Sequence, residues 1–456
     1  MFAYYLALAL RSFRRNRVLT ALMILAIGLG IGASMTMITV LHAMSGDPLP
    51  GRSAQLYVPQ IDPRPLSRGR PGHAASNEAP DSLTWPDAMA LLQQRRADRQ
   101  AAMAAGSVAV RPARATRHPF FEQGHYVTAD FFAMFGTPFR AGAGWSAQDD
   151  AAHARMVVLN AGLARKLFGD APALGRTVRL KDTDFRVIGV LDDWHPQPAF
   201  YAEIDDRAFG QPDQFFVPLQ TALELKLAID GRLSCWGNGG DNRLSNHCTW
   251  LQFWVQLDNP AKAQAYRDFL TDYWRDQQVH GRFPRPVDTR LYNLMGWLDH
   301  EHLIPADLRL QLWLALGFLG VCMVNIVGLL LAKFLRCSGE ICVRRALGAR
   351  RRDIFVQFGI EAAVIGLAGV LLGLLIAELG LWSVRSRPDG YAQLARMDPA
   401  MLLGTFALAV CASVLAGLLP AWRACRIPTQ SFVRRCPCHI SRCLPASPAT
   451  SSPCCC

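Results

Sequence analysis

Apolar residues are concentrated in four long blocks of the chain. Three of these blocks contain no Asp, Glu, Lys or Arg: residues 18–41, 310–332 and 400–419. The fourth, residues 358–382, contains only Glu361 and Glu378, near its two ends. Each block reaches the roughly 20 residues that a helix needs to cross about 30 Å of hydrocarbon. The pattern predicts four transmembrane helices, at residues 18–41, 310–335, 354–382 and 400–420.

A cleavable signal peptide is the alternative for the first block. The apolar core of such a peptide is only about 7–15 residues long, and a cleavage site of the form Ala-x-Ala follows it. The block at residues 18–41 is longer, and no such site comes after it. We therefore expect a retained transmembrane helix.

Basic residues outside the apolar blocks fall on one side of the predicted membrane. Residues 1–17 hold four Arg and no acid, residues 333–353 hold seven basic residues and two acids, and residues 421–456 hold five Arg and no acid. Four crossings place these segments on the same side, which the positive-inside rule identifies as the cytoplasm. Both termini are thus expected in the cytoplasm, with residues 336–353 as an inner loop and residues 383–399 as a short outer loop.

Composition agrees with a membrane protein and excludes two other classes. The 456 residues are 51% hydrophobic and 18% charged, and the mean hydropathy is +0.13. The chain therefore has too much apolar surface to be disordered. A net charge of +12 would fit nucleic-acid binding, but the whole basic excess lies in the three cytoplasmic segments and not on one folded domain. No nucleic-acid partner is expected.

The large outer segment, residues 42–309, has the pattern of a mixed α+β domain inserted between the first two membrane helices. Strand-like and helix-like runs alternate, and Thr84 and Thr128 each stand where they would cap the start of a helix. Residues 52–115 and 248–292 share a strand–helix–strand pattern. We expect these two parts to form one subdomain, with residues 116–247 inserted as a second.

Only two of the thirteen cysteines, Cys235 and Cys248, lie in this outer domain. A pair of cysteines on the oxidising side of a membrane favours a disulfide, which here would close a loop rich in Gly and Asn. Such a bond would contribute about 3 kcal/mol by restricting the unfolded chain. Two reduced thiols that share a loop are the alternative.

Two motifs that resemble chemical sites are more typical of turns. In residues 168–177, FGDAPALGRT, five residues instead of four separate Gly169 from Gly175, and Arg176 stands where a nucleotide-binding loop has Lys. Residues 299–302, Asp-His-Glu-His, place their two His only two apart, so that on a helix they point in different directions. No catalytic, cofactor or metal site is predicted.

Small residues form strips along two of the predicted membrane helices. They are Gly28, Gly32 and Ser34 in the first helix, and Gly366, Gly369, Gly373 and Gly380 in the third. Such strips allow two helices to pack closely. Glu361 and Glu378 are expected within a turn or two of the membrane interface, which leaves anchoring and a coupling role as alternatives.

The inner loop and the helix start after it have the order SGEICVRRALGARRRDIFVQFGIEA, residues 338–362. A loop that only sets orientation needs charge and not a fixed order. This stretch resembles the signature of the MacB/FtsX-like permeases of ABC transporters, which runs close to GEIGVRRALGASRRDIFRQFLIEA. The resemblance extends to the basic N-terminal segment, the large domain after the first helix and a closing PAWRA at residues 420–424.

The resemblance implies an inner-membrane permease subunit that binds no cofactor itself and has a periplasmic domain. In such permeases the inner loop docks on a separate ATP-binding subunit, and two permease chains, identical or paralogous, form the working unit. The residues that would couple to the ATPase are Glu340, Val343, Arg344, Arg345, Ala346, Leu347, Gly348, Ala349, Arg352 and Asp353.

ATP-driven motion would then reach the periplasm for export or mechanotransmission, and a periplasmic adaptor protein and membrane lipid are expected partners. A lipoprotein-releasing permease and a non-transporting regulator of a periplasmic cell-wall hydrolase are the alternatives. The tail departs from the family, because residues 436–456 contain six cysteines without apolar periodicity. An aberrant end, a disordered tail and a metal site are the alternatives there.

Overall fold

Helices and strands alternate along the chain between residues 17 and 385. The computed structural model describes residues 17–65, 79–112, 118–202, 208–236, 242–303, 306–336 and 351–385. Its helices are α1 (Arg17–Ser45), α2 (Trp85–Gln94), α3 (Asp130–Phe135), α4 (Ala147–Ala151), α5 (Ala161–Phe168), α6 (Leu219–Glu224), α7 (Pro260–Val279), α8 (Leu294–His300), α9 (Ala306–Arg336) and α10 (Arg351–Arg385). Its strands are β1 (Leu56–Gln60), β2 (Arg99–Arg111), β3 (Phe120–Val127), β4 (Phe139–Gly142), β5 (Met156–Asn160), β6 (Thr177–Leu180), β7 (Thr183–Leu191), β8 (Phe215–Pro218), β9 (Ser234–Cys235), β10 (Cys248–Thr249), β11 (Gln252–Gln256) and β12 (Arg290–Asn293).

Three helices, α1, α9 and α10, are long and apolar enough to cross a membrane. Their apolar spans are Arg17–His42, Arg309–Leu329 and Gly359–Ser383, and they coincide with the first three helices that the sequence predicts. The fourth predicted helix, residues 400–420, lies outside the described residues. The number of four crossings therefore stays a prediction.

Small residues of α1 and α10 lie against large side chains of the other helix. A Cβ added to Gly32 would be 2.7 Å from Cγ2 of Ile376, and one added to Gly369 would be 2.4 Å from Cγ2 of Ile27. Real Cβ atoms essentially never come so close, so a methyl group at either glycine would force a neighbour to shift. The glycine strips thus allow α1 and α10 to pack closely.

α1 also contacts α9. The hydroxyl of Ser34 donates a hydrogen bond to the carbonyl oxygen of Ala315 at 3.1 Å, and Ile326 of α9 belongs to the same buried cluster as residues of α1 and α10. Glu361 is only 4% exposed, so protein surrounds it, whereas Glu378 is exposed. α1 is therefore in contact with both of the other described membrane helices.

The outer domain is built on one large sheet. The strand order is β12-β1-β11-β2-β3-β8-β5-β7-β4, and β6 pairs with both β2 and β7. The expected grouping of residues 52–115 with 248–292 corresponds to the neighbouring strands β12, β1, β11 and β2. However, β2 is 13 residues long and pairs with β3 at eight positions. Residues 116–247 therefore extend the same sheet, and their separation as a second subdomain stays a prediction.

Side-chain caps fix the starts of several outer-domain helices. The hydroxyl of Thr84 accepts the backbone N–H of Asp87 at 3.3 Å, as the sequence predicts, and Asn160, Asn259 and Asn293 cap α5, α7 and α8 in the same manner. Thr128 does not cap α3. Its hydroxyl accepts the N–H of Ala102 in β2 at 3.1 Å, so this expectation is wrong because a neighbouring strand occupies the oxygen.

Aromatic side chains fill much of the core of the outer domain. One group makes mainly edge-to-face contacts, with ring centroids 4.8 Å apart for Phe131 and Phe135, 4.9 Å for Phe135 and Phe200, and 5.1 Å for Phe200 and Trp254. This is the geometry that the ring quadrupoles favour, worth about 0.5–1.5 kcal/mol per pair beyond burial. The sheet therefore rests on a rigid aromatic packing.

Asp150, at the end of α4, is a half-buried carboxylate inside this fold. Its Oδ2 accepts the backbone N–H of Ala129 at 2.7 Å, next to the start of α3. Burial raises the pKa of Asp150 to about 6, and the nearby charges of Asp149 and Asp130 also raise it. The folded protein consequently holds this proton more tightly than the unfolded chain does.

The α1–α10 interface predicts opposite effects for two glycine substitutions. Gly369→Ala is expected to destabilise the packed helices by about 1–3 kcal/mol, the usual cost of overpacking, because the new Cβ meets Ile27. Gly320→Ala in α9 is the matched control, since nothing lies within 4 Å of its added Cβ and Ala is the better helix former. Thermal unfolding of the full chain in detergent should give a lower midpoint for Gly369→Ala alone. Equal midpoints for the two variants would contradict the interface.

The raised pKa of Asp150 predicts a pH dependence of stability. The contribution of this group is fully present below about pH 4 and is lost as the pH rises through about 6. Asp150→Asn keeps an oxygen for the Ala129 N–H and removes the titration, so near pH 7 it should raise the free energy of unfolding by about 3 kcal/mol.

Denaturant unfolding between pH 4 and pH 8 measures this difference. Asp149→Asn is the control, because hydrogen bonds from Ser146 lower the pKa of Asp149 and its contribution has the opposite sign. A wild-type slope between pH 4 and pH 6 in Asp150→Asn would refute the assignment.

Candidate functional site

Both chain connections between the membrane helices and the outer domain enter the sheet at one edge. α1 continues through a 3-10 helix, Ser53–Gln55, into β1, and β12 continues into α8 and then α9. β1 and β12 are antiparallel neighbours at this edge, from Tyr57 opposite Asn293 to Gln60 opposite Arg290. Backbone pairing therefore holds the two connections side by side.

The short helix α8 links this edge to the membrane helix α9. The side chain of Asn293 accepts the N–H of Gly296 at 2.8 Å at its start, and Leu294 and Trp297 are buried against the domain. Near its end, the carboxylate of Asp299 accepts a hydrogen bond from the guanidinium of Arg309, in the first turn of α9, at 3.3 Å. α8 is thus fixed to the sheet by packing and to the first turns of α9 by an ion pair.

A small solvent-open cleft lies beside β1, β11 and α8. Its apolar surface is aliphatic and aromatic and consists of Val58, Phe200, Ala202, Phe253, Trp254 and Trp297. Its polar surface consists of Asp81, Ser82, Arg232, Gln252 and Glu301. Concave, largely apolar surfaces with a few polar groups are the usual form of small-molecule sites.

The polar groups of this cleft favour a ligand that donates hydrogen bonds or carries positive charge. The Oε1 atom of Gln252 is buried and has no hydrogen-bond partner within the described ranges, so it is an acceptor in need of a donor. Asp81 and Glu301 contribute two carboxylates to the lining, and Arg232 contributes one guanidinium, which lies 4.0 Å from Asp81. The cleft suits an apolar body with a hydrogen-bond donor or a positive group.

The described residues contain only part of the coupling segment expected from the sequence. Arg352 and Asp353 lie in the first turn of α10. The other eight residues of that set, between Glu340 and Ala349, lie outside the described residues. Cys235 and Cys248 face each other as β9–β10 partners and are joined by a disulfide with an S–S distance of 2.08 Å.

The stretch that resembles a nucleotide-binding loop connects α5 to β6. Gly169 and Gly175 adopt φ angles of +65° and +78° there, a conformation that favours glycine. A nucleotide-binding loop follows a strand and precedes a helix, and here the order is reversed. The stretch is a turn, as the sequence predicts.

The sequence does not predict the cleft. Its surface combines residues from β1, the segment before α2, the segment at residues 200–202, β11 and α8, which are far apart along the chain. The available signal is the density of aromatic residues in CTWLQFWVQL, residues 248–257, which a strand pattern alone already explains. Only the three-dimensional pairing of β1 with β11 and the packing of α8 bring these groups together.

Comparison with known families and proteins agrees with this architecture. Residues 20–273 match the MacB-like periplasmic core domain, and residues 312–429 match the FtsX-like permease C-terminal domain. A macrolide export ATP-binding/permease protein MacB of Rhodospirillum rubrum is 29% identical over 93% of this chain. One of Bdellovibrio bacteriovorus is 23% identical over 62% of it. The match spans only 59% of the length of the Rhodospirillum rubrum protein and only 39% of the length of the Bdellovibrio bacteriovorus protein.

Among solved structures, the periplasmic region of MacB from Actinobacillus actinomycetemcomitans is similar over 54% of this chain and 91% of its own length. The sequence identity is 16% and the TM-score is 0.34. The first family match covers α1 from residue 20 and the outer domain as far as residue 273, and the second covers α9 from residue 312, α10 and the predicted fourth helix. The chain therefore belongs to the family of ABC transporter permeases that join a MacB-like periplasmic core domain to an FtsX-like permease domain.

Proposed function

We propose that this chain is the permease subunit of an ABC transporter complex that passes ATP-driven motion from a separate cytoplasmic ATPase to its periplasmic domain, for export. The observation that carries the proposal is the connection of α1 and α9 to the paired edge strands β1 and β12. A change in the separation of the two helices acts on a single hydrogen-bonded edge of the sheet.

The packing of the membrane helices supports a mechanical role. Residues 337–350 join α9 to α10 along the chain, so a force on this inner loop acts on both helices. α1 packs closely against α10 at Gly32 and Gly369. Closely packed side chains are hardly compressible, so a displacement of one helix displaces the other. A force on the inner loop thus has a continuous route through α9 and α1 to the outer domain.

ATP binding is assigned to a partner subunit. The relatives carry ATP-binding and permease functions under one name, and the match covers 59% of the length of one and 39% of the other. Within the matched length, the one loop that resembles a phosphate-binding motif has the wrong element order, because helix α5 precedes it and strand β6 follows it. We propose that a separate ATPase subunit binds and hydrolyses ATP.

The complete complex that we propose lies in the inner membrane. Both termini are cytoplasmic, residues 400–420 form a fourth membrane helix, and the working unit contains a second permease chain and a periplasmic adaptor protein. The positive-inside distribution of Arg and Lys supports this orientation. The relatives are named for macrolide export, and the aromatic cleft of the outer domain offers an apolar surface of the kind that such a role requires.

Charge reversal in the inner loop tests the coupling to the ATPase. Arg344→Glu together with Arg345→Glu should lower co-purification of the ATPase subunit at least tenfold, about 1.4 kcal/mol, because two cations at the interface become anions. Arg95→Glu with Arg96→Glu is the matched control, since these adjacent arginines lie at the exposed end of α2 in the outer domain. The ratio of ATPase to permease after affinity purification measures the effect. Undiminished co-purification in the Arg344/Arg345 variant would rule out this docking site.

A further inference from the structure

The loop before α2 brings Asp81 next to the end of α8, where His300 and Glu301 lie. One ligand atom from each of these three side chains lies within 4.8 Å of the other two. Asp81 is exposed, and His300 and Glu301 are half-buried. The three groups come from parts of the outer domain that are more than 200 residues apart, so the fold, and not the local sequence, creates this cluster.

Contacts hold the ring of His300 and the backbone near Asp81 in place. The imidazole of His300 stacks on the ring of Tyr292, with centroids 4.6 Å apart and an interplanar angle of 13°, and the buried Trp297 lies 5.7 Å away. Two residues after Asp81, the N–H of Leu83 donates to the carbonyl oxygen of Leu251 at 2.8 Å. The backbone on both sides of the cluster is therefore held in place, which favours ligand binding by reducing the entropy cost.

An imidazole and two carboxylates are a donor set that suits Zn²⁺. Open Zn²⁺ sites use three protein ligands from His, Asp and Glu and leave a position for water. Ca²⁺ and Mg²⁺ prefer oxygen donors alone, so the imidazole selects against them. Zn–N and Zn–O bonds of about 2.0–2.2 Å require donors closer together than 4.8 Å, and the exposed side chain of Asp81 can move the remaining distance.

The charges around the cluster are compatible with a cation. Two carboxylates balance a divalent ion. Arg232 approaches Asp81 at 4.0 Å with a side chain that is 63% exposed, so a bound metal displaces it at little cost. Asp81 and Glu301 also line the cleft, as does the buried, unpartnered Oε1 of Gln252. That oxygen offers an acceptor for a metal-bound water.

We propose that Asp81, His300 and Glu301 bind Zn²⁺ at the rim of the cleft. The site ties the loop before α2 to α8, the element that leads into the membrane helix α9. It differs from the local Asp-His-Glu-His run, because Asp299 pairs with Arg309 and His302 lines a different pocket with Met44 and Leu298.

A Zn²⁺ titration of the full chain tests the site. The purified protein in detergent is first treated with iodoacetamide, because the six cysteines of residues 436–456 would otherwise bind zinc. Competition with a chromophoric chelator then gives the number of Zn²⁺ ions bound and their affinity. The variants are Asp81→Asn, His300→Gln and Glu301→Gln, the matched control is His302→Gln, and circular dichroism verifies the fold of each.

The expected result is one Zn²⁺ per wild-type chain and at least a tenfold loss of affinity in each of the three variants. His302→Gln should bind as wild type does, and Arg232→Gln should bind more tightly, because a competing cation next to Asp81 is removed. Unchanged affinity in Asp81→Asn, or an equal loss in His302→Gln, would overturn the proposal. Because this titration involves no ATPase, its failure leaves the proposed coupling function untouched.

Discussion

The antiparallel pairing of β1 with β12 is the constraint on which the rest of the molecule depends. These two short strands form the edge of the sheet, and each is the first or last strand of the outer domain along the chain. Their backbone hydrogen bonds close a loop of more than 200 residues and hold its two ends together. The proposed function depends on this pairing, because it gives the chain connections from α1 and α9 a common attachment to the sheet.

The membrane part is constrained by a different interaction, close contact between helices. Gly32 and Gly369 allow side chains of the opposite helix to occupy the space of a missing Cβ. Without a hydrophobic driving force inside lipid, this dispersion packing is what holds such helices together. Close packing within the membrane helices is what the proposed transmission of movement requires. The arrangement differs from a permease with a polar path through its core, since Glu361 is one of few charges in the described spans and is enclosed by protein.

Local sequence signals predict local structure well in this chain. The Thr84 cap and the turn at residues 169–176 both follow from nearby residues, and the structure contains them. The length of β2 is not visible in the sequence, because its run of alanines has weak strand propensity and pairing with β11 and β3 stabilises it as a strand. The single sheet that joins the two predicted subdomains depends on the same long-range pairing.

Local sequence patterns do not predict sites that are assembled from distant segments. Residue spacing therefore does not reveal the aromatic cleft or the Asp81–His300–Glu301 cluster. It does reveal the inner-loop signature, because that signature is one continuous stretch of sequence. The Asp-His-Glu-His run shows the contrast most clearly. Its spacing argues against a local metal site, and in our proposal the fold supplies Asp81 as a further ligand that no local pattern reveals.

Hydrogen–deuterium exchange of the outer domain tests the central claim most directly. The full chain, in nanodiscs with its co-purified ATPase subunit, is compared with and without a non-hydrolysable ATP analogue. The account predicts that amide exchange changes first in Leu56–Gln60, Arg290–Asn293 and Leu294–His300, the edge strands and the helix that connect to the membrane. Identical exchange of these segments in both nucleotide states would show that movement does not enter the domain through the β1–β12 edge.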